Sequence, residues 1–154
     1  MTRPPEIFVD ADACPVKDEV YKVAGRYGLK TWVVCNAFML VPQHPRIERV
    51  IVDAGPDVAD DWIAERTGPG DIVVTNDIPL AERVLKAGAA ALGANGRAFS
   101  VETIGSAIAQ RAIMEQIRST GAIAGGPKPF ERNDRSRFLQ ALDEAVNRSL
   151  RARR

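Results

Sequence analysis

The chain has 154 residues, with 21 Lys and Arg against 20 Asp and Glu and a formal net charge of +1; 45% of residues are hydrophobic and 27% charged, which excludes a disordered or fibrous chain. The length predicts one domain over residues 1–154, ending in a basic tail from about residue 148, and able to bury roughly two thirds of its unfolded surface without disulfides or a structural metal. No apolar run reaches the roughly 18 residues of a membrane span, Met1–Glu6 lacks a signal-peptide layout, and Cys14 and Cys35 lack zinc spacing and are too few for a disulfide scaffold, so a cytoplasmic protein with no membrane partner is expected.

Short β-branched runs alternate with stretches of helical period, the pattern of βα units in an α/β fold whose mostly parallel central sheet carries helices on both faces. Ile7-Phe8-Val9 is the first strand. Asp10-Ala-Asp-Ala-Cys14 follows it, and Pro15, suited to a first helical turn, starts a helix that Gly28 stops. Thr31–Cys35 reads as a second strand, 36–46 as a surface loop with Pro42, His44 and Pro45, and Ile47–Val52 as a third strand. Gly55-Pro56-Asp57 opens a helix closed by Gly68-Pro69-Gly70, and Asp71–Thr75 is the clearest buried strand. Pro79–Ala87 is helical, Ala90–Leu92 a short strand and Ala94-Asn95-Gly96 a turn. A helix is expected over Glu102–Ser119, a loop of defined shape or a lid over Gly121–Phe130, and a last helix from Asn133 to about Arg151, with Phe138, Leu139, Leu142, Val146 and Leu150 as its apolar stripe.

In an open parallel sheet, ligands bind beyond the carboxyl ends of the strands. Asp10 and Asp12 follow the first strand, Asp77 follows Thr75 at the end of the fourth, and Asp57, Asp60 and Asp61 lie in the first turn of the helix after the third. These six acids are expected on one rim. A group of oxygen ligands that repel one another is most simply neutralised by one or two Mg²⁺ or Mn²⁺ ions, which can generate hydroxide and stabilise the leaving oxygen of a phosphodiester. Four of the six also have a purely structural reading: Asp57 as an N-cap, Asp60 and Asp61 favoured by the helix dipole, and Asp77 opening an Asx-turn before Pro79, whereas a turn after the first strand needs at most one of Asp10 and Asp12.

The runs VDADACPVK at Val9–Lys17, DVADDWI at Asp57–Ile63, GDIVVTNDIPLA at Gly70–Ala81 and GGPKPF at Gly125–Phe130 resemble the YaiI/YqxD family of bacterial proteins over nearly the whole chain. That family is assigned to the PIN-like superfamily, which includes ribonucleases and 5′-nucleases that cut branched DNA. The resemblance implies a PIN-like three-layer sandwich in which a first-strand aspartate, an E-A-D-D-type helix start and a T-x-D or T-G-D strand end hold metals. Asp10 matches the first, Asp60 and Asp61 the paired aspartates, and Thr75 with Asp77 the third. Two positions depart: Val58 replaces the glutamate of E-A-D-D, with Asp57 one place earlier, and Ile78-Pro79 replace the second acid after T-G-D.

The expected activity is therefore metal-dependent hydrolysis of a nucleic-acid phosphodiester, RNA or DNA, without sequence preference. Asp10, Asp60, Asp61 and Asp77 are the expected ligands, with Asp12 and Asp57 as adjuncts. Thr75 would position a ligand or water, while Lys17, Lys128 and Arg132 are candidate phosphate contacts. One alternative is a nucleic-acid-binding or regulatory module that lost a metal position. Another is a phosphatase resembling the haloacid dehalogenases, with Asp10 as nucleophile and Asp12 as general acid; that chemistry wants a Lys before the last acidic motif, and none occurs between Lys30 and Lys86. Cys14 reads as a buried structural thiol, His44 as a lone surface side chain, and Trp32 and Trp62 as core. GGPKPF lacks Walker spacing. Residues 1–110 carry 11 basic and 15 acidic side chains and residues 111–154 carry 10 and 5, so overall neutrality hides an acidic body and a basic end suited to a phosphate backbone.

Overall fold

A computed structural model describes residues 4–55, 57–105 and 132–152. Its centre is a sheet of five parallel strands, β1 (Ile7–Asp10), β2 (Thr31–Cys35), β3 (Ile47–Ile51), β4 (Ile72–Val74) and β5 (Ala90–Leu92), in the spatial order β3-β2-β1-β4-β5. Four helices are named from it: α1 (Lys17–Tyr27), α2 (Val58–Arg66), α3 (Ile78–Lys86) and α4 (Arg132–Ala152). Residues 101–105 form a further helical turn; the rest of the expected Glu102–Ser119 helix and the whole of Gly121–Phe130 lie outside the described residues.

The period-2 alternation of each strand sorts its side chains into two cores. Ile7, Val9, Val33, Ile72 and Val74 face α1 and α4, meeting Val20, Val23, Phe138, Leu142 and Val146. Phe8, Val34 and Val73 face the other way, toward Ile63 of α2, Leu80, Ala81 and Val84 of α3, and Ile104. Continuous apolar strands are what a sheet buried on both faces requires, and the three-layer α/β architecture follows. Among the described residues no helix is long and apolar enough to cross a membrane.

Several boundaries differ from the sequence reading for local reasons. The chain leaves β1 through a 3-10 turn, Ala11–Ala13, closed by the Cys14 N–H on the Ala11 carbonyl, and a further turn at 15–16 delays α1 to Lys17. Gly28 ends α1 in the left-handed conformation at φ 66°, where a side chain would be strained. Asp57 stands at the N-cap position of α2 without a side-chain capping bond, whereas Asp77 does cap α3, its Oδ1 accepting the Leu80 N–H at 2.9 Å. Gly96, at φ 86°, lets its turn press onto α4: a Cβ there would stand 2.8 Å from the Arg137 carbonyl carbon.

The strand order reverses between β1 and β4. β1 leads through α1 to β2 on one side, while β4 leads through α3 to β5 on the other, so the chain diverges from their carboxyl ends and leaves a crevice there. At the opposite end, fully buried Asp71 accepts the Glu6 N–H on Oδ1 and the Gly68 N–H on Oδ2, each at 3.0 Å, pinning the entrance of β4 beside that of β1. Asp71→Ala strips an acceptor from two backbone donors and is expected to destabilise the protein by about 2–4 kcal/mol in urea unfolding. A midpoint equal to that of wild type would contradict this role.

Candidate functional site

Asp10 ends β1 and Thr75 directly follows β4, the two strands that flank the crevice, and by strand alternation both fall on the α2/α3 side of the sheet. The Thr75 hydroxyl, 3% exposed, donates to Asp10 Oδ2 at 2.8 Å and accepts the Asp77 N–H at 3.0 Å. One hydroxyl thus joins the end of β1 to the start of α3, two segments 67 residues apart in the chain. The T-x-D spacing is what makes this possible, since it places the hydroxyl two residues before the backbone N–H it receives.

Electrostatics complete the arrangement. Burial raises the Asp10 carboxyl above its ordinary range; the Thr75 hydrogen bond opposes the rise, and the charges of Asp77 and Asp12 add to it. Asp60, partly buried on α2, is pushed up to about 6 by burial and by the charges of Asp77, Asp10 and Asp57, against a partial pull from Arg83. The charge of Asp77 therefore acts on both Asp10 and Asp60, and that of Asp10 acts on Asp60 as well.

The other expected ligands point elsewhere. Both oxygens of exposed Asp12 accept the Asn36 N–H, at 3.1 and 3.0 Å, which ties that carboxylate to the end of β2. Asp61, one helical position beyond Asp60, turns outward into an exposed ion pair with Arg83 at 2.7 Å. Lys17 Nζ donates to the carbonyls of Cys14 at 2.7 Å and Ala11 at 3.4 Å, bracing the 3-10 turn between Asp10 and α1. Asp57 is exposed at the start of α2. Lys128 and the Arg132 side chain lie outside the described residues. Arg83 is the residue the sequence missed; a basic side chain in the middle of a helix carries no signal until the fold pairs it with Asp61 and brings its charge to bear on Asp60.

Among the described residues, no three His, Cys, Asp or Glu side chains converge closely enough to hold a metal between them. The donor chemistry nonetheless suits a hard divalent cation, because every group is a carboxylate or hydroxyl oxygen and the cluster's charge is only partly offset. Mg²⁺ commonly takes one or two carboxylates and keeps water in its remaining positions, and Asp10 and Asp77, which line one crevice, are the carboxylates that would hold it. Cys14 lines the same crevice, and burial pushes its thiol up, which suits a neutral wall rather than a nucleophile. His44 is exposed on the loop before β3, where Nδ1 accepts the Arg46 N–H.

A family model described as "Uncharacterized BCR, YaiI/YqxD family" matches residues 8–148. The chain is also similar to a UPF0178 protein of Caulobacter sp. (strain K31), 69% identical over 140 residues that make up 91% of this chain and 93% of the relative. A UPF0178 protein of Caulobacter vibrioides (strain NA1000 / CB15N) is 65% identical over 146 residues, 95% of each chain. Another, from Rhodopseudomonas palustris (strain TIE-1), is 59% identical over 147 residues, 96% of this chain and 93% of its own. No solved structure matches the chain.

The raised Asp60 has a consequence for stability. A carboxyl with a folded value near 6 and an unfolded value of 3.8 binds more protons folded than unfolded between those limits, so its contribution to stability falls as pH rises through that window. Asp60→Asn is therefore expected to stabilise the metal-free protein at pH 7 by on the order of 1 kcal/mol, after discounting for solvent screening, and to lose that advantage near pH 4. Thermal melts at the two pH values read the difference; equal melting temperatures at pH 7 would contradict the cluster's mutual repulsion.

Proposed function

The chain belongs to the YaiI/YqxD family, and for this member we propose divalent-metal-dependent hydrolysis of nucleic-acid phosphodiesters at the crevice between β1 and β4. The observation that carries the reading is the shared, incompletely neutralised charge of Asp10, Asp60 and Asp77 at the point where the strand order reverses. Charge of this kind on an all-oxygen donor set favours Mg²⁺ or Mn²⁺. The resemblance to PIN-like nucleases supports the same assignment at Asp10, Asp60, Thr75 and Asp77.

A bound divalent ion would supply a metal-activated hydroxide and charge stabilisation at the leaving oxygen. The chain's own groups do the positioning. Thr75 holds the Asp10 carboxylate by one oxygen and leaves the other for a ligand. Asp77, with Oδ1 committed to the Leu80 N–H, contributes its remaining oxygen and its negative field. Asp60 gives up a proton on binding, so cation affinity should weaken as pH drops below about 6. With Asp61 held by Arg83 and Asp12 by Asn36, a single ion would be held by Asp10 and Asp77, which line the crevice together, with water in its remaining positions, while Asp60, Asp57 and Asp12 contribute charge around it. Lys128 and Arg132, in the basic last quarter of the chain, would meet the substrate backbone without reading sequence.

The phosphatase alternative gains nothing from the geometry, because the carboxylate that would serve as general acid is engaged through both oxygens with Asn36. Calorimetric titration with Mn²⁺, followed by cleavage assays on single-stranded RNA and flap DNA, tests the proposal. Wild type is expected to bind Mn²⁺ below millimolar concentration and to cut at least one substrate only when metal is present. Asp10→Asn and Asp77→Asn should abolish cutting, and Thr75→Val should weaken metal binding or activity about 10- to 100-fold by freeing the Asp10 carboxylate. Absence of Mn²⁺ binding at millimolar concentration overturns the metal site; binding without cleavage favours the module that has kept the fold and lost the reaction.

A further inference from the structure

Beside the carboxylates lies a cavity of about 500 Å³ whose lining includes Asp10, Cys14, Thr75, Asn76, Ile78 and Ala94. Metal-assisted hydrolysis uses only the wall made by Asp10, Thr75 and Asp77. The remaining wall is built from Cys14, Val74, Ile78 and Ala94, and it carries one neutral polar side chain suited to reading a ligand, Asn76. A metal ion with its waters has no use for such an apolar surface.

Asn76 is fixed in a particular orientation. Its Oδ1 accepts the Ala94 N–H at 2.9 Å, tying the end of β4 to the turn after β5, and a Cβ on Gly93 would stand 3.4 Å from the same oxygen. Acceptance from a backbone N–H identifies that atom as the oxygen, so the amide's other end is a pair of donors. The side chain itself is exposed, which leaves those donors accessible to a ligand. An apolar wall, one oriented amide donor and a volume within the roughly 300–1,000 Å³ of small-molecule sites together describe a receptor for an uncharged ring carrying hydrogen-bond acceptors.

We propose that this cavity binds the nucleoside flanking the scissile phosphate, with the Asn76 Nδ2 group donating to an acceptor on its base or sugar. The inference deepens the hydrolase reading and rests on it for the identity of the ligand. It makes Asn76 a residue of substrate selection, distinct from the carboxylates that would carry the chemistry.

The test uses free nucleosides, which carry no phosphate and need no metal. Adenosine, guanosine, cytidine and uridine are titrated to millimolar concentration into chelator-treated protein, with backbone amide shifts followed by NMR. Saturable shifts are expected at the amides of Asn76 and Ala94 for at least one nucleoside. Affinity should weaken about five- to tenfold in Asn76→Ala, the loss of one hydrogen bond, and also in Ala94→Leu, which fills the cavity. Asn76 is exposed and outside the strands, so its variant remains informative if Ala94→Leu fails to fold. No saturable shift at these amides, or wild-type affinity in Asn76→Ala, overturns the proposal. Metal-dependent cleavage without nucleoside binding removes the subsite alone, whereas a binding cavity in a protein that cuts nothing removes the hydrolysis.

Discussion

The hydroxyl of Thr75 is the joint on which the crevice turns. Parallel strands β1 and β4 are neighbours in the sheet but separate in the chain, and each then leads away to opposite flanks. Without a cross-link at their carboxyl ends, the Asp10 carboxylate and the first turn of α3 would have no fixed relation. Thr75 supplies it twice over, donating to Asp10 and accepting from the Asp77 N–H. Asp77 in turn caps α3, so the orientation of that helix, and of Arg83 upon it, follows from the same small network.

The network holds together charges that disfavour one another. Asp10 is lifted by burial and Asp60 by burial and by three acidic neighbours, an arrangement that weakens the folded state near neutral pH. The sheet can tolerate it because stability comes from elsewhere: two apolar cores sandwich the strands, and buried Asp71 pins the far end of β4 with two backbone hydrogen bonds. Structural strength at the amino ends of the strands and electrostatic strain at their carboxyl ends is a division of labour suited to a site that gains its counter-charge from a ligand.

Much of this was legible in the amino-acid sequence. All five strands were legible to within one residue at either end: β1, β2 and β4 because a strand buried on both faces leaves a continuous apolar signature, and β3 and β5 as short apolar-rich runs bounded by loop and turn residues. Gly28 announced the end of α1 by the same logic that the structure confirms in its φ. Asp10 and Asp77 were legible as rim residues because each stands at, or within three residues of, the carboxyl end of a strand. Side-chain direction was less so. Asp60 and Asp61 are adjacent in sequence, and only the docking of α2 on the sheet decides that the first feels the charges of Asp77 and Asp10 and the second meets Arg83. The two carbonyls that Lys17 takes, those of Cys14 and Ala11, come from the 3-10 turn and its exit, and nothing in the pattern of residues 11–13 signals that turn. Asn76 sits inside a recognised motif, yet its bond to Ala94 depends on the pairing of β4 with β5, which no local spacing encodes.

The central claim is that the Asp60 carboxyl belongs to a cluster awaiting a cation. Its titration can be followed directly by carbon-detected NMR of the side-chain carboxyl, first in chelator-treated protein and then with Mg²⁺ added. The account predicts a midpoint near 6 without the ion and a return toward the ordinary carboxylate range with it. A midpoint already in the ordinary range, or one that Mg²⁺ leaves in place, would contradict it.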